Sequence, residues 1–217
     1  MTVQHVNSVV VYPKDAAGND EPIRTIVGDQ TQLNDPHGIA VDFHNQLLFV
    51  SNHGNGIQHS TNSGKFAPPS ITIHDLQADG NAAPSRIIEG PRTQLNWPAN
   101  MWVDGEKGEL YVANDGENSL LVFRITDDGN AAPSRVVKGP NTMISKPTGV
   151  FLDTKNDEVW VSNMGNHFAT VFERSANGDV APKRIIRSAP LGQQAQAIGN
   201  PGAVAYDSKR DKILVPN

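Results

Sequence analysis

The stretch that decides the fold runs from residue 98 to residue 123. It opens with Pro98-Ala99-Asn100-Met101-Trp102-Val103-Asp104, and four residues later comes Glu109-Leu110-Tyr111-Val112-Ala113-Asn114. After four more residues follows Ser119-Leu120-Leu121-Val122-Phe123. Each run is short, rich in β-branched or aromatic residues and bounded by Gly, Pro, Asn or Asp, which is the signature of successive strands joined by tight turns. A fourth run, Arg135-Val136-Val137, closes the set beyond Asp128-Gly129-Asn130, a tripeptide suited to positive φ in a turn. No window holds a helical period for ten residues.

The same set recurs along the chain. Its third run aligns with Ser8–Tyr12, Ser70–His74 and Phe168–Phe172. Each copy then has a glycine (Gly18, Gly80, Gly129, Gly178), a proline four residues on (Pro22, Pro84, Pro133, Pro182) and an arginine two residues after that (Arg24, Arg86, Arg135, Arg184). A second proline (Pro36, Pro98, Pro147, Pro201) is followed after six residues by an aspartate (Asp42, Asp104, Asp153, Asp207). Ten residues later stands an asparagine (Asn52, Asn114, Asn163, Asn217). The interval from second proline to asparagine is 16 in all four copies. Four short antiparallel strands, a to d, repeated about every 49 residues predict an all-β fold, a β-propeller built from four four-stranded repeats. The units run about 8–52, 70–114, 119–163 and 168–217, with an insertion at 53–69, and the reading is one propeller domain over 1–217.

The order is circularly permuted, since strands c and d come first and a and b last. Sixteen strands are counted, enough for four blades. An unpaired strand edge is an aggregation liability. Joining the terminal a–b hairpin (Ala203–Tyr206, Lys212–Val215) to the initial c–d hairpin removes both edges, either within a four-bladed monomer or in an eight-bladed homodimeric ring. A fragment of a longer propeller is the third arrangement.

Composition narrows the function classes. Hydrophobic residues make up 37% of the 217, and charged residues 19%. Nineteen Gly and 15 Pro argue against a helical bundle. A net charge of −5 provides no electrostatic footprint for nucleic acid or an acidic membrane, so neither is expected as a partner. The absence of cysteine removes disulfides and thiolate chemistry. No signal peptide opens this chain, so a soluble protein is expected, either cytoplasmic or an exported protein lacking its signal. No G-x-S-x-G, Walker or Rossmann pattern is present.

The run Asn114-Asp115-Gly116-Glu117-Asn118-Ser119-Leu120-Leu121-Val122-Phe123, preceded by Pro98 and Asp104, resembles an NHL/YVTN-type propeller repeat, and the likeness extends over essentially the whole chain. The resemblance implies a distant similarity to gluconolactonase-like hydrolases, streptogramin-lyase-like enzymes and binding propellers. The lyase-like strand-b motif resembles Trp-Phe-Thr-Glu, whereas here the positions read Phe49-Val50-Ser51-Asn52, with no glutamate in any copy.

In a propeller the d–a and b–c loops share one face, and both insertions, residues 53–69 and Pro190–Gly199, fall on it. Loops on a rigid frame carry function, so this face and the central mouth are the expected site. His37 opens strand a where the other copies have Ala99, Thr148 and Gly202, and Asn100 breaks the pattern at the next position. His53 and His59 lie in the long loop, and Trp97 precedes Pro98 where it could stack on a sugar. The ligand-binding candidates are therefore His37, His53, Trp97, Asn100 and Thr148. A three-histidine set with His59 lacks any metal-site spacing, so no metal ligands, cofactor or catalytic residues are assigned. The recurring Asn, Asp and Arg residues are read as ties within and between blades, and Asp115–Asn118 as a turn. The expected function is a ligand-binding or protein-interaction propeller for an unknown small molecule, sugar or protein. Two alternatives remain: a gluconolactonase-like hydrolase or lyase with a metal or histidine at the mouth, and a structural module.

Overall fold

A computed structural model describes residues 1–187, 190, 193, 202–207 and 209–215. The chain is all-β apart from short 3-10 turns. Its strands are β1 (Thr2–Val3), β2 (Ser8–Val11), β3 (Arg24–Val27), β4 (Pro36–Asp42), β5 (Leu47–Asn52), β6 (Asn55–Gln58), β7 (Ser63–Phe66), β8 (Ser70–Asp75) and β9 (Arg86–Glu89). Then come β10 (Pro98–Asp104), β11 (Glu109–Asn114), β12 (Ser119–Arg124), β13 (Arg135–Lys138), β14 (Pro147–Asp153), β15 (Glu158–Asn163), β16 (Phe168–Glu173), β17 (Arg184–Ile186), β18 (Ala205–Asp207) and β19 (Lys212–Leu214). Three four-stranded sheets have the a-b-c-d order expected from the repeat: β4-β5-β8-β9, β10-β11-β12-β13 and β14-β15-β16-β17. The chain divides into two compact units, residues 1–98 with 126–131 and residues 99–125 with 132–217.

In the first unit, β5 is the centre of its sheet, and its neighbours make its apolar run two-sided. Phe49 and Val50 are fully buried, which is why the b strand reads as continuous hydrophobics and not as an alternation. Val9, Ile26, Leu33, Leu48 and Val50 form one core cluster, with Ile39 and Val41 half-buried against it. Burial of each such side chain contributes about 1.5–3 kcal/mol.

Two features depart from the sequence expectation. The b-side edge of β2, which the strand count assigned to Lys212–Val215, carries β1 instead, with Thr2 opposite Val9 and Val3 opposite Ser8. Met1 extends the pairing through bonds of 2.9 Å in both directions with Val10. Extended residues immediately upstream need only a short 3-10 turn, Gln4–Val6, to fold back on that edge. The insertion 53–69, read as a loop, holds a hairpin of its own, β6–β7, in register from Asn55↔Phe66 to Gln58↔Ser63.

The second unit has a core of Tyr111, Leu120, Val122, Val137, Ile144, Val150, Leu152, Val159, Val161 and Phe172. Trp160 is buried beside Val171 and Val204. Trp102 is 37% exposed and sets its ring edge-on to Phe151, with centroids 4.7 Å apart. Strands β18 and β19 pair with each other from Ala205↔Leu214 to Asp207↔Lys212. Pro201, Asn217 and most of the Pro190–Gly199 insertion lie outside the described residues.

The c–d turns do more than reverse the chain. Gly80 sits at φ +59° and pairs with the preceding repeat, donating to Thr25 O and accepting from Val27 N, each at 2.9 Å. Asp79 Oδ1 accepts from Thr25 N, and Asn81 Oδ1 from Gln30 N. The same hook recurs as Gly129 on β9, with Asp128 and Asn130, and as Gly178 on β13, with Asn177 and Asp179. Each hook thus makes four hydrogen bonds from one tripeptide, and the third adds a fifth from Asn141 Nδ2 to Asp179 Oδ2. Copy 1's turn, Ala17-Gly18-Asn19, keeps the glycine but has no side-chain acceptor at the first position.

The recurring polar residues are spent internally. Asp42, Asp104, Asp153 and Asp207 each accept backbone N–H groups of their own a–b turn. Asn52 and Asn163 are fully buried and accept from Asn34 N and Ser145 N, so they tie the end of strand b back to the loop entering strand a. Arg24 donates to the carbonyls of Leu76 and Ala78 in the next repeat. Asp115–Glu117 form a 3-10 turn ended by Asn118 at φ +49°.

Candidate functional site

The site is built from a kink that recurs in the three copies whose residues here are described. The residue before the second proline stands in the left-handed region, at φ +59° for Asp35, +52° for Trp97 and +49° for Lys146. Non-glycine residues adopt this conformation only where something holds them. Here an asparagine at the start of strand c holds the backbone N–H: Asn7 Oδ1 for Asp35 at 2.9 Å and Asn118 Oδ1 for Lys146 at 2.8 Å. The carbonyl of the same residue then accepts from the first residue beyond strand b, His53 N on Asp35 O and Met164 N on Lys146 O, both at 3.0 Å. In the two copies that have both bonds, the kink brings three sequence positions together. One copy fills them with Asp35, His37 and His53, and another with Lys146, Thr148 and Met164.

In the first unit this produces a stack of three rings. The imidazoles of His37 and His53 lie face to face with centroids 3.4 Å apart and planes 12° from parallel. The indole of Trp97 also stacks on His53, at 5.4 Å and 19°, and is itself 49% exposed. Asp35 Oδ1 lies 3.5 Å from His37 Nε2, and Gln4 brings its side-chain amide to 2.6 Å from the same nitrogen. The His37 carbonyl accepts from Thr2 Oγ1 at 2.8 Å, so β1 braces the start of β4.

Electrostatics leave His53 neutral. Burial is the largest cause that lowers its pKa, the neighbouring His37 adds to it, and Asp35 and the Pro98 backbone oppose it only partly, so the value falls to about 4. The ring is near the Pro98 backbone, and its Nε2 is buried with no hydrogen-bond partner. Asp35, His37 and His53 each offer one ligand atom, and these atoms all lie within 4.8 Å of one another.

Of the five residues expected from the sequence, His37, His53 and Trp97 thus meet in the first unit. Asn100 and Thr148 meet in the second, where Asn100 Nδ2 donates to Thr148 O at 2.9 Å and to Gly202 O at 3.1 Å. This amide links the first residues of successive a strands. His59 does not join the cluster; its backbone N–H donates to Asp29 Oδ1 at 2.7 Å. Asp35 was missed. Its signal was its place two residues before His37, across Pro36, where Lys146 and Trp97 stand in other copies.

The second unit carries a separate charged network. Glu109 Oε1 receives Arg135 Nη1 at 2.6 Å, and Oε2 receives Tyr111 OH at 2.7 Å and Arg174 Nη2 at 2.6 Å. Burial alone would raise Glu109, but the bonds from Arg135, Tyr111 and Arg174 outweigh it and hold the pKa at about 2. Glu158 is held at about 2 chiefly by its hydrogen bonds from Arg184. With every carboxylate oxygen taken by a cation or hydroxyl, these groups serve as ties and not as acid–base pairs.

No family model matches the chain, and no curated protein matches it in sequence. Solved structures do match in fold. The hydrazine synthase of Kuenenia stuttgartiensis aligns with a TM-score of 0.58 at 16% identity, over 86% of this chain and 43% of that one. A chain of a nidogen/laminin complex aligns with a TM-score of 0.54 at 11% identity, over 84% of this chain and 56% of that one. Both contain β-propellers, so the four-stranded sheets are propeller blades in architecture. This chain spans about half the length of either match.

Proposed function

We propose that the chain is a ligand-binding propeller whose recognition site is the His37–His53–Trp97 stack on the face of the d–a and b–c loops. The observation that carries the reading is the half-exposed Trp97 ring seated on a neutral, half-buried imidazole. An indole in that setting offers a flat apolar face whose stacking partner is already in place, so a ligand ring can settle on it without ordering the side chain first. The copy with Lys146, Thr148 and Met164 lacks this triple yet keeps the same backbone bonds, which supports a role in recognition beyond holding the fold. A small organic ligand with a ring face, a sugar or an aromatic, suits the site. Fold alone does not select the ligand, because propellers host many functions.

The test is ligand-observed NMR by saturation transfer with a panel of mono- and disaccharides and small aromatic compounds. It compares the wild-type chain with Trp97→Asn, since asparagine tolerates the positive φ that position requires. At least one compound should bind the wild type and be lost in the variant. A panel without hits, or hits untouched by Trp97→Asn, would overturn the reading.

A further inference from the structure

We infer that Asp35, His37 and His53 form a binding site for a divalent transition-metal ion, with at least one coordination position left open toward the Trp97 side. The inference deepens the reading above, because it supplies a chemical class of ligand for the same stack.

Three independent features converge on it. The first is donor placement: one carboxylate and two imidazoles put their ligand atoms within 4.8 Å of one another, inside the compass of a single ion. The second is the state of His53. Its Nε2 is buried without a hydrogen-bond partner beside the other two donors, as the coordinating nitrogen of a metal-ligating histidine would be before the ion arrives. An imidazole nitrogen stripped of water and left without a donor costs stability, and a metal ion would satisfy it. The third is the loop plan: the same three positions meet in the copy that has Lys146, Thr148 and Met164, so this copy alone among these two places ligand-type side chains at a junction the fold would form anyway.

The donor set also selects the metal. Two neutral imidazoles and a single carboxylate favour Zn²⁺, Co²⁺, Ni²⁺ or Fe²⁺ over Ca²⁺ or Mg²⁺, which take oxygen-rich shells. Three protein ligands are fewer than a closed structural zinc site uses, so the remaining position would take water or an oxygen of the organic ligand. The unshared pairs of two stacked rings run side by side, so capture requires one ring to turn. His37 is the one with room, since its side chain is 31% exposed. It would exchange its contact with Gln4 for the ion.

The experiment uses the untagged full chain after chelator treatment and dialysis. Zn²⁺ is titrated by calorimetry, and Co²⁺ by its visible ligand-field absorption. His37→Phe and His53→Phe keep a ring in the stack but remove its nitrogens, and Asp35→Asn removes the charge while tolerating the left-handed backbone. One Zn²⁺ per chain should bind the wild type, and each variant should lower affinity by at least about tenfold, since even outer-shell changes cost that much. Thermal melting of each variant without metal shows that it is folded. Failure of the wild type to bind Zn²⁺ or Co²⁺, or equal binding by folded variants, would overturn the site. The organic panel is run both with chelator and with Zn²⁺. Hits that persist without any metal binding sink only this inference, whereas metal binding with an empty panel sinks only the organic-ligand reading.

Discussion

His53 stacks on His37 with ring centroids 3.4 Å apart and on Trp97 with centroids 5.4 Å apart, so a single imidazole contacts two rings. Two imidazolium charges at the closer spacing would repel strongly at any protein dielectric, so at most one of the histidines is charged. The stack has a spectroscopic consequence. The carbon-bound ring protons of His53 should resonate upfield of their unstructured positions, shielded by the two neighbouring rings. Replacing Trp97 with asparagine should move them downfield, while those of His37 shift less. Proton NMR with histidine labelling checks this, and unshifted His53 signals would mean that the stack does not form in solution.

His74 is fully buried in β8, and neither ring nitrogen has a hydrogen-bond partner. The repeat places Tyr12, Phe123 and Phe172 at the equivalent position. The slot is therefore one for an aromatic hydrocarbon ring, and His74→Phe should stabilise the chain by about 1–3 kcal/mol, the usual cost of unpaired buried polar atoms. Equilibrium urea unfolding at pH 7.5 measures it. A neutral or destabilising result would show that the histidine has a partner that was overlooked.

The same residue sets a pH dependence. Burial lowers the His74 pKa to about 4, below its ordinary 6.5. Between those values the unfolded chain binds a proton that the folded chain refuses, so stability falls as pH drops from about 6.5 toward 4. The advantage of His74→Phe over the wild type should consequently be larger at pH 4.5 than at pH 7.5. Paired urea titrations at the two pH values decide it, and a constant difference would contradict the shift.

Gly90 stands at φ +121°, and a Cβ there would lie 2.7 Å from Asn130 Oδ1, the atom that accepts the Arg92 N–H in the hook between repeats. Gly90→Ala thus strains the backbone and pushes the hook away at once. It should destabilise the fold by about 2–4 kcal/mol, more than a surface substitution would. Asp128→Ala, which removes the acceptor for Ile87 N and Gly129 N without straining the backbone, should cost about 1 kcal/mol. Urea midpoints that failed to rank the two in this order would argue against the hook as described.

Glu109 joins Arg135, Arg174 and Tyr111, and Arg174 is only 7% exposed. Removing the charge by Glu109→Gln leaves a buried guanidinium with Asp104 as its remaining carboxylate, at 2.8 Å. The loss should be about 2–4 kcal/mol, because breaking one side of a buried pair leaves the other uncompensated. Glu106→Gln in the neighbouring exposed turn should cost within about 0.5 kcal/mol and serves as the control.

The sequence alone determined the blade. Spacing of prolines, aspartates and asparagines located the a–b–c–d order and the turns at Asp42, Asp104, Asp153 and Asp207, because each of these follows from local backbone chemistry and period. It also marked His37, His53 and Trp97, since residues that break a repeat stand out against the copies that keep it. What the tertiary structure decided is which of those residues meet. Asp35 and His53 are 18 positions apart, and only the left-handed kink, held by Asn7 from a different strand, turns the Asp35 carbonyl onto the His53 N–H. Asn100 and Thr148 carried the same sequence signal yet spend their polar groups on each other and on Gly202. The fold of β1 onto β2 and the hairpin inside 53–69 were likewise invisible, because short pairings of this kind draw on an open edge and a neighbouring surface that no local pattern encodes. Periodicity reports on what each residue needs from its own strand; contact between residues of different strands depends on where the whole backbone has already put them.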